Sequence, residues 1–185
     1  QAAAFAMGRA MDDVIISAAT GTAHTGETGS GTETAQTAIA ANVGSTTGLN
    51  IDKLLKAKEK FDLASVDPSI QRFIVVGPEQ MSNLLGTTQV TSSDFNSVKA
   101  LVQGEVDTFL GFKFITSNRL SKAGNDRTCI AFAQDGITLA VGKDVQARID
   151  ERADKSYATQ VYYCMSIGAT RMEKDKVIGI TCTEA

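Results

Sequence analysis

The stretch "EVDTFLGFKFITSN", Glu105 to Asn118, limits what this chain can become more than any other. Read with the two-residue period of a strand, Phe109, Gly111, Lys113 and Ile115 fall on one side, and Leu110, Phe112, Phe114 and Thr116 on the other. Both sides are largely apolar. A strand of this kind lies inside a sheet covered on both faces, or kinks at its glycine. The fold must therefore provide a sheet and elements to cover it.

Both are legible elsewhere in the chain. "NIDKLLKAKEKFDLAS" spaces Ile51, Leu54, Leu55, Ala57 or Lys58, and Phe61 as an amphipathic helix with most charges opposite, and Asn50 caps it. "RFIVVGPEQMSNLL" reads as a strand at Phe73 to Val76, a turn at Gly77, and a helix opened by Pro78. A further helix is predicted at Phe95 to Val102, ending at Gly104. The last third is strand-rich: "TCIAFAQ", "GITLAVG", "VQARIDER", "YATQVYYCMSIGATRM" and "KVIGITC" are separate β-type runs. The order implies an α+β fold with a mixed sheet in two lobes.

The N-terminal quarter differs. "QAAAFAMGRAMDDVIISAAT" is alanine-rich, and its apolar residues at Phe5, Met7, Met11, Val14, Ile15 and Ala18 suit a helix. It begins at Gln1 without an initiating Met or a capping residue, as a piece cut from a longer protein would. Residues 20–48 are mainly Thr, Gly and Ala, with Ile39 and Val43 the exceptions. Such a segment cannot offset its own ordering entropy, so neighbours order it or it stays mobile.

A chain of 185 residues, 43% hydrophobic, is long enough for one sizeable core or two small ones. Its net charge of −3 gives no overall positive field for capturing nucleic acid. Cys129, Cys164 and Cys182 are odd in number, far apart and set in apolar runs, which suits buried free thiols in a reducing compartment. No run is apolar enough to span a bilayer, and no signal-peptide layout opens the chain, which reads as soluble.

Gly26-Glu27-Thr28-Gly29-Ser30-Gly31 has the glycine spacing of a phosphate loop, but Thr32 stands in the lysine slot and Glu33 in the hydroxyl slot. A carboxylate there repels a triphosphate, so the stretch reads as a flexible surface excursion. The sole histidine, His24, lies in the same segment without a scaffold to hold it as a base. Asp12 and Asp13 are adjacent on a helix and point about 100° apart, so they do not converge on a cation. Ser17 and Ser82 lack a nucleophile setting. The mixed charges of Asp150 to Ser156 and Arg171 to Lys176 are solvated turns by default, and they also suit docking between identical subunits. No catalytic, cofactor-binding or metal-ligating residue is assigned.

From "FIVVGPEQMSNLL" through "TSSDF" to "VQGEVDTFLGFKFITSNRL" the chain resembles the major capsid proteins of tailed bacteriophages with the Hong Kong 97-like fold. The likeness is carried by Val76-Gly77-Pro78, Leu84-Leu85, Gly104 with Val106, Gly111-Phe112 and Thr116-Ser117-Asn118. "CIAFAQDGITLAVGKDVQARIDE" and "VYYCMSIGATRMEKDKVIGI" are similar to the family's closing strands. The resemblance implies a peripheral lobe of spine helix plus sheet and an axial lobe whose tip meets its copies at the centre of a hexamer or pentamer. On the chain this reads as the end of the spine helix and a Thr/Gly-rich loop at 1–49, an axial domain at 50–140, and closing strands of the peripheral domain at 141–185. It further implies a missing N-terminal arm and extended loop, and no common enzymatic activity.

The leading expectation is a non-enzymatic major capsid protein that self-assembles into an icosahedral head, in the virion, after assembly in the bacterial cytoplasm. Its implied partners are copies of itself, with scaffolding, portal or decoration proteins, and packaged DNA met only through the shell interior; no cofactor and no membrane are implied. The rivals are a nucleotide-binding enzyme with a degenerate phosphate loop and an adhesion module.

Overall fold

A computed structural model describes residues 2–44, 47–86 and 108–184. The helix expected at Phe95 to Val102, with Gly104 and Val106, lies outside the described residues. Within them the order is α1 (Ala2–Thr20), β1 (Ala23–Thr25), β2 (Gly31–Glu33), β3 (Gln36–Ile39), α2 (Ile51–Leu63), β4 (Arg72–Val76) and α3 (Pro78–Leu85). Then follow β5 (Thr108–Phe109), β6 (Phe112–Thr116), β7 (Lys122–Ala123), β8 (Asp126–Ala133), β9 (Ile137–Arg152), β10 (Ala158–Arg171) and β11 (Val177–Thr183).

Helix α2 starts and stops for local reasons. The Asn50 side chain accepts from the Lys53 amide at 2.9 Å, and Asp52 sits in the first turn where the helix dipole favours an anion. At the other end Ser65 takes a left-handed φ of 55°, the Val66 amide reaches the Phe61 carbonyl at 3.0 Å, and the Ser65 amide reaches that of Asp62 at 3.1 Å. These paired bonds make a Schellman terminus, with buried Val66 returning onto buried Phe61. The inward face is Lys53, Leu54, Ala57 and Phe61. The sequence pattern places the charges outside, yet Lys53 lies inside.

The main sheet runs β3-β11-β8-β4-β6-β5, with β7 added to β8. β3 pairs with β11, and β4 with β6, in parallel; the other pairs are antiparallel. The mixed sheet expected from sequence is thus present. Register puts Ile74, Ala131, Cys129, Ile178 and Ile180 on one face, all buried. Phe112 and Phe61 meet there with ring centroids 6.0 Å apart. On the other face Phe73 stacks on Phe132 at 5.6 Å. Helix α1 reaches β8 and β11 and gives Ile16 and Ala19 to the same core.

Two local expectations change. The apolar stretch around Gly111 is neither one strand nor merely kinked: the chain reverses there, with φ of 52° at Leu110 and 84° at Gly111. Positive φ at both central residues makes the tight turn whose twist matches a hairpin, and β5 folds back on β6. Phe112 is therefore buried while Lys113 and Ile115 are exposed. "GITLAVG" and "VQARIDER" are not two strands but one, the 16-residue β9. Irregular register between Cys164 and Ile167 absorbs extra residues of β9 as a bulge, so Gly142 does not end it.

The Thr/Gly/Ala segment is ordered by neighbours. β1 and β2 form a small antiparallel ribbon whose turn holds Gly26 to Ser30, and β3 lies along β11. The last strand, β11, expected among the peripheral closing strands, is hydrogen-bonded between β3 and β8 in the main sheet.

Replacing Phe61 with Ala is expected to lower unfolding stability by about 3–5 kcal/mol in urea titrations. Leu63→Ala, two residues on but 77% exposed, is expected to change it by less than about 0.5 kcal/mol.

Candidate assembly interface

Strands β9 and β10 form a second, two-stranded sheet, a ribbon in which 16 and 14 residues pair antiparallel. It turns at Ala153–Tyr157, where Ser156 and Tyr157 adopt positive φ. β9 after Ile137 and β10 up to Tyr163 are exposed. Directly opposed pairs Ile149 with Val161 and Ala147 with Tyr163 place apolar groups on one face. Asp150 with Gln160, Arg148 with Tyr162 and Gln146 with Cys164 make the other face polar.

Arg171, the last residue of β10, fixes this ribbon to the rest. Its buried guanidinium donates to the carbonyls of Ala19 at 3.0 Å, Gly21 at 2.8 Å and Glu33 at 2.9 Å. The first two sit at and just beyond the C-terminal end of α1, where carbonyls lack helical partners and favour a cation. A second tie is ionic. Arg119, between β6 and β7, grips the Asp13 carboxylate of α1 through both Nε and Nη2, holding it below the ordinary carboxylate range.

Two polar clusters complete the frame. Lys53 is fully buried and donates to the carbonyls of Thr47 at 2.7 Å, Gly48 at 2.7 Å and Thr181 at 3.1 Å. Burial pushes its ammonium below the ordinary lysine range. Glu184, just past β11, is clamped by Arg127 and Lys122 and accepts from Gln80 Nε2 at 3.0 Å. The Arg127 guanidinium, then the Lys122 ammonium, hold its carboxyl down at about 2. A Cβ at Gly77 would lie 2.3 Å from Gln80 Oε1, so a larger residue there would make the Gln80 side chain shift.

The residues singled out from sequence do not gather. His24 is exposed on β1, and Asp12 is exposed one residue before the pair Asp13 makes with Arg119. The glycines from Gly26 to Gly31 connect two antiparallel strands, whereas a phosphate loop leads from a strand into a helix N-terminus. All three cysteines are free: Cys129 and Cys182 are buried neighbours across β8 and β11, and Cys164 is half-buried on the ribbon. Among the described residues no group of three or more His, Cys, Asp or Glu is placed to hold a metal ion. Arg171, Lys53 and Glu184 escaped the sequence reading, because a charged residue beside an apolar run reads as solvated until its partners are brought in from distant segments.

A helix laid against a long ribbon, joined to a mixed sheet, is the Hong Kong 97-like capsid fold. A structure from Mycobacterium phage Che8 superimposes with a TM-score of 0.70 at 21% identity, over 97% of this chain and 60% of that one. The capsid structure of cyanophage P-SCSP1u gives 0.69 at 19% identity, over 100% and 63%. An encapsulin complex from Synechococcus elongatus PCC 7942 gives 0.58 at 9%, over 97% and 62%. The chain thus spans about three fifths of the length of these structures, and at such identities the likeness is one of fold. No curated protein matches it. The family described as phage capsid protein matches residues 1–184, and the chain belongs to that family.

Glu184 makes acid stability testable. Its pKa in the fold is about 2 against an ordinary 4.5, so its contribution is complete above about pH 4.5 and is lost as pH falls towards 2. Melting curves between pH 2 and 6 are expected to show a steeper acid loss for the native chain than for Glu184→Gln. For Arg171→Ala, three carbonyls lose their donor, and destabilisation of at least about 2 kcal/mol is expected in urea. Amides near Gly21 and Glu33 should exchange faster, with Arg171→Lys restoring only part, since an ammonium lacks the planar fork.

Proposed function

We propose that this chain is a shell-forming subunit of a bacteriophage head, a major capsid protein whose copies build hexamers and pentamers of an icosahedral shell around DNA. The carrying observation is the family match along residues 1–184. The fold alone is shared with an encapsulin, so it supports a closed shell, and the family match supports a virion. The role is structural rather than enzymatic. Shells suit such a chain because many modest, repeated contacts sum to a stable assembly.

In this reading α1 is the end of the spine helix and, with the β9–β10 ribbon, belongs to the peripheral lobe. The main sheet with α2 and α3 belongs to the axial lobe, to which β11 returns. Partners are other copies, with scaffolding, portal or decoration proteins, and assembly takes place in the host cytoplasm. DNA is met only at the shell interior. Among the described residues no helix is long and apolar enough to cross a membrane.

The test is expression of the full-length gene product in bacteria, followed by negative-stain electron microscopy and light scattering. Shells or capsomer rings are expected. Monodisperse monomers, with and without a co-expressed scaffold, would reject the reading. Calorimetry with ATP and GTP is expected to register no micromolar binding, and binding at that level would revive the nucleotide alternative.

A further inference from the structure

Lys53 places a positive charge in the core without a carboxylate beside it. Its carbonyl partners Thr47, Gly48 and Thr181 only accept, so together they take three N–H bonds and hold the ammonium form. The remaining contact is a sulfur: Cys182 Sγ lies 4.0 Å from Lys53 Nζ. A buried charge is tolerated when it is paired, and a thiol that ionises supplies the missing anion.

A second thiol stands next to the first. β8 and β11 pair so that Cys129 faces Ile180 and Cys182 faces Arg127, which makes the two cysteines diagonal neighbours on one face, both fully buried. They hydrogen-bond to each other. That bond and the Lys53 ammonium hold the Cys182 thiol below its ordinary range, whereas the same bond and burial push Cys129 above it. One sulfur is set to attack and the other to keep its proton. Asp126 on β8 opposes the anion more weakly, and the Arg127 charge is taken up by Glu184. This end of β11 also has room to move. β3 flanks the strand only at Ile178 and Ile180, and beyond them the cover is the loop at Thr47 and Gly48, held by Lys53 and by the Thr183 amide at 3.0 Å. Local opening of such an edge admits a small oxidant and lets β11 adjust to the geometry a disulfide needs.

We infer that Cys182 and Cys129 form an oxidation site, at which a peroxide converts two buried thiols into a disulfide that ties β11 to β8. In the first step the Cys182 thiolate attacks one oxygen of hydrogen peroxide. An S–O bond forms, the O–O bond breaks, and the leaving hydroxide takes up a proton, giving a sulfenic acid and water. In the second the Cys129 sulfur attacks the Cys182 sulfur: the S–S bond forms, the S–O bond breaks, and hydroxide leaves with the Cys129 proton as a second water. The thiols lose two electrons and the peroxide gains them. The pair stays open in a reducing cytoplasm and closes in oxidising surroundings. On the shell-subunit reading, on which this consequence alone rests, a particle gains the staple after leaving its host; the chemistry itself belongs to a single chain.

The experiment treats the full-length protein, carrying Cys164→Ser to silence the ribbon thiol, with hydrogen peroxide, blocks the remaining thiols and maps peptides by mass spectrometry without reduction. Expected is a link between Cys129 and Cys182, on a chain that runs as a monomer in denaturing gels without reductant. In Cys129→Ala the sulfenic acid should be trapped on Cys182 by dimedone, and in Cys182→Ala trapping on Cys129 should be about tenfold lower or less. Lys53→Met should raise the pH at which Cys182 reacts by about one unit, whereas a merely looser fold speeds the reaction at every pH. Two free thiols after peroxide overturn the inference. So do a link between copies, a dimedone adduct on Cys129 rather than Cys182, and an unchanged pH profile in Lys53→Met. Peptide mapping needs no assembly, so its failure leaves the shell reading intact, and microscopy without shells leaves a mapped disulfide standing.

Discussion

Everything at the junction of helix, ribbon and sheet depends on one guanidinium. Arg171 is buried and meets three carbonyls from two separate segments, the end of α1 and the β2 strand. A buried charge is tolerated only when hydrogen bonds replace its water, and the unpartnered carbonyls of a helix terminus are fitted to do so. The same contact gives α1 its angle to β10 and gives the weakly apolar segment after it a place to fold against. Arg119 and Asp13 repeat the idea at the surface, where solvent weakens the pair.

The sheet has a comparable dependence on buried polar groups. Lys53 draws the carbonyls of Thr47, Gly48 and Thr181 together, so a helix, a loop and the last strand share one donor. Glu184 does the reverse, drawing donors from α3, β7 and β8 onto one carboxylate. Apolar packing supplies most of the core, but it is non-directional and leaves register loose. These charged groups are directional, and each bridges segments far apart in sequence.

Where local rules govern, the sequence was enough. Asn50 as a cap, the α2 stripe, and Val76-Gly77-Pro78 as strand, turn and helix start all follow from chemistry within a few residues. So did the mixed sheet, and the ordered strands behind the family resemblance. The Leu110–Gly111 reversal was hidden because leucine seldom takes positive φ, so only the glycine signalled a turn. β9 looked like two strands because a bulge and a break share the same glycine signal. The polar joints were invisible for another reason: a carbonyl carries no side-chain identity, so no pattern of letters announces that Arg171 or Lys53 has three of them waiting.

The position of β11 bears on how the molecule comes into being. Its strand, at residues 177–183, lies between β3 and β8, so the main sheet has a gap until β11 is synthesised. On the ribosome, β3 has no neighbour to pair with, and β8 exposes an edge that any similar strand could occupy. Closing the sheet joins ends separated by most of the chain, a slow step by loop-closure entropy. Until β11 has emerged, the many identical copies made side by side are exposed to pairing with one another's open edges.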